Sequence, residues 1–177
     1  MAPDLNPTAA SLLGYLDLGP LTGWDLDQWV RSSIGNFWNV TRSQIYRELR
    51  TLTELGYVEA GAAGRRDRVP YTITESGRAA FRDWIAQSPP PDVIRSRLLL
   101  TVFFGHHLAP DRFREIVVTE RQRHEGELAR YREMQESIGT TGFPAATLKM
   151  GVAYEEAMAK WLAELEEEID QLAPGGA

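Results

Sequence analysis

The chain has no cysteine, which removes disulfides, thiolate metal sites and cysteine nucleophiles together. No apolar run approaches the length of about 18 residues that a membrane-crossing helix needs. No signal-peptide layout opens the sequence, so a cytoplasmic location without membrane contact is the expectation. The histidines, His106, His107 and His124, are too few and too scattered for a metal site. His124 lies one heptad from Val117 and from Tyr131 and reads as a hydrated surface histidine. A nucleophile elbow, a glycine-rich phosphate loop and an HExxH pattern are also missing, so neither an enzyme nor a cofactor is expected.

A strong basic excess is lacking too. The net charge is −6, the wrong sign for a nucleic-acid binder until it is divided along the chain. Residues 1–88 hold nine arginines against ten acidic residues, whereas 89–177 hold ten basic against fifteen acidic residues. Within 41–68, six arginines stand against four acidic residues. The acidity therefore belongs mainly to the second half. The first half keeps a small basic footprint, suited to a protein that meets DNA with two copies.

What is present begins with residues 41–77, TRSQIYRELRTLTELGYVEAGAAGRRDRVPYTITESG. Thr41 and Gln44 form a capping box, so the spacing predicts a helix from Arg42. Ile45, Leu49, Leu52 and Leu55 make its inward stripe and Gly56 its left-handed stop. Ser43, Arg47, Arg50 and Glu54 fall on the opposite face, flanked by Tyr46. Such groups suit base edges and phosphates in a major groove. Tyr57 and Val58, then Val69 to Thr74, follow as two strands around the tip Arg65-Arg66-Asp67-Arg68.

Around this unit the pattern predicts a short helix over Thr8–Asp17, a capping box of Thr22 with Asp25, and a helix carrying Leu26, Trp29 and Val30 inward. A further helix runs from Thr74 to Gln87. The fold class is mostly α: an N-terminal winged helix-turn-helix with a two-stranded β-wing, then a C-terminal helical dimerisation domain. Pro89-Pro90-Pro91 separates residues 1–88 from 89–177. In the second half, Leu98 to Phe104 is apolar nearly all round and is expected to be covered on most sides. Residues 110–137 carry a thin seam through Phe113, Ile116, Val117, Leu128 and Tyr131. Residues 145–172 carry another, and Glu166-Glu167-Glu168 reads as solvated. Two long helices with such narrow seams point to a homodimer.

The segments LLGYLDLGPLTGWDL, FWNVTRSQIYRELRTLTELGYV and YTITESGRAAFRDWI together resemble the PadR family of bacterial transcriptional regulators, over about residues 9–87. PPPDVIRSRLLLTVFF and FPAATLKMGVAYEEAMAKWLAELE are similar to the longer helical C-terminal region of one PadR subgroup. The resemblance implies a homodimeric regulator, acting as a repressor that releases its double-stranded, near-palindromic operator when a small molecule binds. It puts the DNA contacts on Ser43, Gln44, Tyr46, Arg47 and Arg50, with the wing at Arg65 to Arg68. Thr41 and Arg42 complete the candidate DNA-binding set of Thr41, Arg42, Ser43, Gln44, Tyr46, Arg47, Arg50, Arg65, Arg66 and Arg68.

Pro70 departs from the family pattern and predicts a shorter wing or an edge position for its second strand. The aromatic residues read first as core. A subset, Phe103, Phe104 and Trp161 with Trp38, are candidate walls of a site for a small aromatic effector. The alternative reading is a winged-helix module that binds a protein partner without specific DNA binding.

Overall fold

The computed structural model describes residues 5–35, 37–64, 68–139 and 141–172. Arg65 and Arg66 at the tip of the wing lie outside the described residues. The chain divides into two compact units between Asp92 and Val93.

In the first unit each helix begins on a side-chain cap. Asn6 Oδ1 accepts from the Ala9 amide at 2.9 Å and starts α1 (Pro7–Leu16). Thr22 and Asp25 close a full capping box at the head of α2 (Gly23–Ser32). Thr41 and Gln44 do the same for α3 (Arg42–Glu54). Thr74 caps α4 (Glu75–Ile85) by accepting from the Gly77 amide at 3.1 Å. These caps satisfy amide groups that have no partner inside the helix. Leu12, Leu13 and Leu16 of α1, Leu26 and Val30 of α2, and Ile45, Leu49 and Leu52 of α3 then meet in one core. Trp29, expected inward, is 42% exposed and meets Tyr15 edge-on, because Leu26, Asp27 and Val30 occupy the buried face of α2. Leu55 is exposed as well, since the helix ends there and the chain turns away.

The two expected wing strands form, and a third strand joins them. β1 (Leu21–Thr22), β2 (Val58–Ala60) and β3 (Pro70–Ile73) are antiparallel in the order β1-β3-β2. The proline-bearing strand is thus the middle one, which overturns its reading as an edge. Pro70 is its first residue, pairs with Thr22, and still accepts from the Gly61 amide at 2.8 Å through its carbonyl. A missing donor at a strand's first position leaves the rest of the ladder intact.

The second unit follows an irregular stretch through residues 88–96. α5 (Arg97–Phe103) precedes α6 (Pro110–Ile138) and α7 (Phe143–Leu172), with a single 3-10 turn between α5 and α6. Gly139 and Gly142, at φ +83 and +89, adopt the left-handed backbone where the chain reverses between the long helices. Ion pairs Arg132–Glu156 and Arg121–Glu166 fix the two as antiparallel neighbours. Glu166 is therefore a partner of α6, not a freely solvated residue; the Glu166 carbonyl also accepts from Arg114 at 3.2 Å.

Phe113, Val117, Leu162, Leu165 and Ile169 form an apolar cluster against which Leu98 and Val102 of α5 pack. The remaining apolar residues of α5 do not join it. Leu99, Leu100, Phe103 and Phe104 are exposed, contrary to the expected cover, because so short a helix presents only one stripe to the cluster.

His124 is not a surface residue. It is 2% exposed, and its Nδ1 bonds the Glu155 carboxylate of α7 while Arg123 Nη2 donates to its Nε2 at 2.8 Å. The imidazole accepts at Nε2 and therefore donates from Nδ1. A histidine at an apolar phase of the seam is buried because a carboxylate on the facing helix completes it. Among the described residues no helix is long and apolar enough to cross a membrane.

Gly77 shows how tightly α4 is seated. A Cβ there would stand 2.1 Å from the Tyr57 carbonyl oxygen, a backbone atom with nowhere to go. Gly77→Ala should lower the unfolding free energy by about 3 kcal/mol in a denaturant titration. An unchanged midpoint would mean that α4 can be displaced without cost.

Candidate nucleic-acid interface

α3 is fixed on three sides. Its inner face carries Ile45, Leu49 and Leu52, all fully buried. Its tail ends in a Schellman motif: Gly56 has φ +71, the Tyr57 amide donates to the Leu52 carbonyl at 2.9 Å, and the Gly56 amide donates to Thr53 at 3.0 Å. The Gly56 carbonyl then accepts from Thr74 Oγ1 at 2.8 Å and Ser76 Oγ at 3.0 Å, which ties the tail to the start of α4.

At the head, Arg42 donates from Nη2 to Asp27 Oδ2 of α2 at 2.8 Å, and Arg31 donates from Nε to Asp27 Oδ1 at 3.0 Å. Asp27 is 1% exposed. Burial alone would raise its pKa, but the hydrogen bonds from Arg42 and Arg31 prevail and hold it below the ordinary value of 3.8.

Fixed in this way, α3 leaves one face open. Ser43, Arg47 and Arg50 are exposed on it. Arg50 makes no ion pair among the described residues. Arg47 approaches Glu48 at 3.5 Å, a carboxylate buried on the inner side that also accepts from Asn6 Nδ2 at 2.9 Å. Tyr46 has both characters: 45% of it is exposed, yet its ring lies so close to α2 that a Cβ on Gly23 would come within 2.6 Å of it. It therefore packs on α2 and keeps an open edge.

Thr41 and Gln44 serve the cap. The Thr41 amide and hydroxyl each donate to Gln44 Oε1 at 2.8 Å, and Thr41 Oγ1 lies 3.1 Å from Ser43 Oγ. Gln44 keeps its amide nitrogen available, and Ser43 its exposure.

Of the wing, the strands and Arg68 are described. The Arg68 guanidinium lies 4.6 Å from the ring centroid of Trp24, a cation–π contact between the loop of the hairpin and the first turn of α2. The site thus holds two sets of side chains, Arg31 and Arg42 on Asp27 at the head of α3, and Ser43, Arg47 and Arg50 on its open face. Arg31 and Asp27 were not among the residues nominated from sequence; their signal was the i, i+4 spacing and an acidic residue beside Leu26 on the buried face.

The candidate effector residues are distributed over both units. Phe103 and Phe104 meet edge to face with ring centroids 4.9 Å apart, Trp161 packs against the Phe113 cluster, and Trp38 belongs to the other unit.

Residues 12–83 match the model of the Transcriptional regulator PadR-like family, and residues 94–170 match that of the Virulence activator alpha C-term. Residues 12–83 thus carry a PadR-like domain, and the chain is similar to PadR-like transcriptional regulators over most of its length. The Negative transcriptional regulator PadR of Bacillus subtilis is 25% identical over 138 residues, 76% of each chain. The crystal structure of Bacillus subtilis PadR in complex with operator DNA is similar in fold, with a TM-score of 0.82 and 24% identity over 93% of this chain and 100% of that one. The structure of the same protein in complex with p-coumaric acid gives a TM-score of 0.78 and 24% identity over 92% and 98%.

The Asp27 pair has a consequence for acid stability. A carboxylate whose folded pKa is depressed contributes stability that is present above 3.8 and lost as pH falls through its lower folded value. Asp27→Asn should therefore cost about 2 kcal/mol at neutral pH and flatten the acid limb of stability below pH 3.8, read by denaturant melts across pH. Parallel acid limbs in the two proteins would contradict the assignment.

Proposed function

We propose that the protein is a sequence-specific DNA-binding repressor, in which residues 1–88 bind DNA and 89–177 form a homodimer. The observation that carries this reading is the open face of α3: Ser43, Arg47 and Arg50 stand exposed on a helix whose inner face is buried and whose two ends are tied down. A rigid helix with arginines on its free face has the chemistry for guanine edges in a major groove. The basic residues of the hairpin that follows α3 in sequence suit the phosphate backbone. Two copies related by a two-fold axis would meet a near-palindromic operator with recognition helices about 34 Å apart. The fold shared with operator-bound Bacillus subtilis PadR supports the reading, and the negative sign follows that relative. A cytoplasmic location and the absence of catalysis belong to the same proposal.

A mobility-shift titration on DNA from the protein's own promoter region tests it. Arg50→Ala and Arg47→Ala should each weaken specific binding by about 1–3 kcal/mol and relax base preference. Wild-type affinity and preference in both variants would overturn the proposed docking.

The homodimer is supported by the apolar surface that one copy leaves bare. Val93, Ile94, Leu99, Leu100 and Phe103 are exposed, Phe103 by 76%. So many exposed apolar side chains within residues 93–103 suit an interface. The protein should sediment at twice its 19.9 kDa, and Phe103→Glu should yield a monomer that no longer holds the operator. A monomeric wild-type protein would sink the dimer. Control by a planar aromatic effector at the Phe103–Phe104 pair completes the proposal, in line with the p-coumaric acid complex of Bacillus subtilis PadR. Repeating the operator titration with such a compound present reads the coupling directly.

A further inference from the structure

Most arginine pairs in this protein are of an ordinary kind. Arg112–Glu115, Arg123–Glu120 and Arg130–Glu127 each join residues on one exposed helix surface, three positions apart. Such pairs leave little net charge and little rigidity. The group around Asp27 is built differently. Its acceptor is buried, it links two helices, and it carries two cations on one carboxylate.

We propose that Arg31 and Arg42, held on the buried Asp27 carboxylate, form a two-guanidinium clamp for a phosphate of the DNA backbone at the head of α3. The proposal rests on the DNA-binding reading and adds to it a residue, Arg31, and an anchor, Asp27.

The donor geometry sets the function apart from a plain ion pair. Arg42 donates to Asp27 Oδ2 from Nη2 at 2.8 Å and from Nε at 3.3 Å, which leaves Nη1 unused among the described residues. Arg31 donates to Oδ1 through Nε alone, which leaves both terminal nitrogens unused among the described residues. Both side chains are more than half exposed, while the carboxylate between them is hidden from solvent. The outward surface is therefore cationic, and the negative charge that organises it does not confront an approaching phosphate.

Guanidinium groups bind phosphate through paired N–H donors, and fixing a long arginine in advance lowers the ordering cost of that contact. The hydrogen bonds from Arg42 and Arg31 outweigh burial and hold the Asp27 carboxyl below its ordinary value, so the carboxylate that anchors the clamp is ionised at neutral pH. A backbone contact of this kind sets the register of α3 without reading sequence, leaving base choice to Arg47 and Arg50.

The test uses the full chain, the promoter duplex and a scrambled duplex of equal length, with affinities measured over a salt series. Arg31→Gln should weaken both duplexes by the same factor, about threefold to tenfold, and make the slope of log affinity against log salt shallower by about one. Arg31→Lys should retain most of the slope, because the charge remains. Asp27→Asn, checked for folding by its thermal transition, removes a negative charge and by Coulomb attraction alone would tighten binding; loss of the anchor should loosen it on both duplexes instead. An unchanged slope and affinity in Arg31→Gln, with Arg50→Ala still impaired on the promoter duplex, would overturn the clamp and leave the DNA-binding reading standing. If the wild-type protein bound neither duplex, that reading would fall and the clamp with it.

Discussion

The architecture of the first unit depends on a division of α3 into a face that must be buried and a face that must not be. Ile45, Leu49 and Leu52 give the helix its hold on α1 and α2, each worth about 1.5–3 kcal/mol when fully removed from water. Because the outer face contributes no packing, the ends of the helix have to be fixed by polar contacts. Asp27 does this at the head and the Gly56 carbonyl at the tail. The capping boxes at Thr22 and Thr41, the Schellman turn and the position of β1 are arranged around those two anchors.

The features legible in sequence are those whose causes are local. Thr22 with Asp25, Thr41 with Gln44, the glycine stop at Gly56 and the apolar period of α3 each lie within a few residues of the structure that they produce. The features that were missed depend on partners far along the chain. β1 is two residues long and exists only because Pro70 and Tyr71 lie beside it. Asp27 and Glu48 occupy inward phases among leucines, which is a readable sign of burial, but their partners Arg42 and Asn6 are 15 and 42 residues away. His124 carried the same sign on the seam of α6. Its reading as hydrated gave too little weight to that phase, since its partner stands 31 residues away on α7.

The second unit has a comparable logic. Its long helices meet through apolar contacts at one end, around Phe113, Val117, Leu162, Leu165 and Ile169, and at the other end through Tyr131, which packs against Gly151 closely enough that a Cβ there would sit 3.1 Å from its ring. Between these regions lies the His124–Glu155 pair. Aliphatic seams tolerate a sliding shift of one turn, whereas a buried imidazole and carboxylate can be satisfied in a single alignment. The polar layer thus specifies how the hairpin is registered, and the apolar ends supply most of the hold.

The carbonyl of Gly56 has a wider meaning than the end of a helix. Thr74 and Ser76 both donate to it, Thr74 also donates its amide to Tyr57, and Tyr57 in turn blocks any side chain at position 77. The last turn of α3, the root of the hairpin and the first turn of α4 therefore share one set of atoms. None of them can open without the others, so local fluctuations that retract the hairpin while α3 stays in place are suppressed. The root of the hairpin, the tail of α3 and the start of α4 therefore open together or not at all.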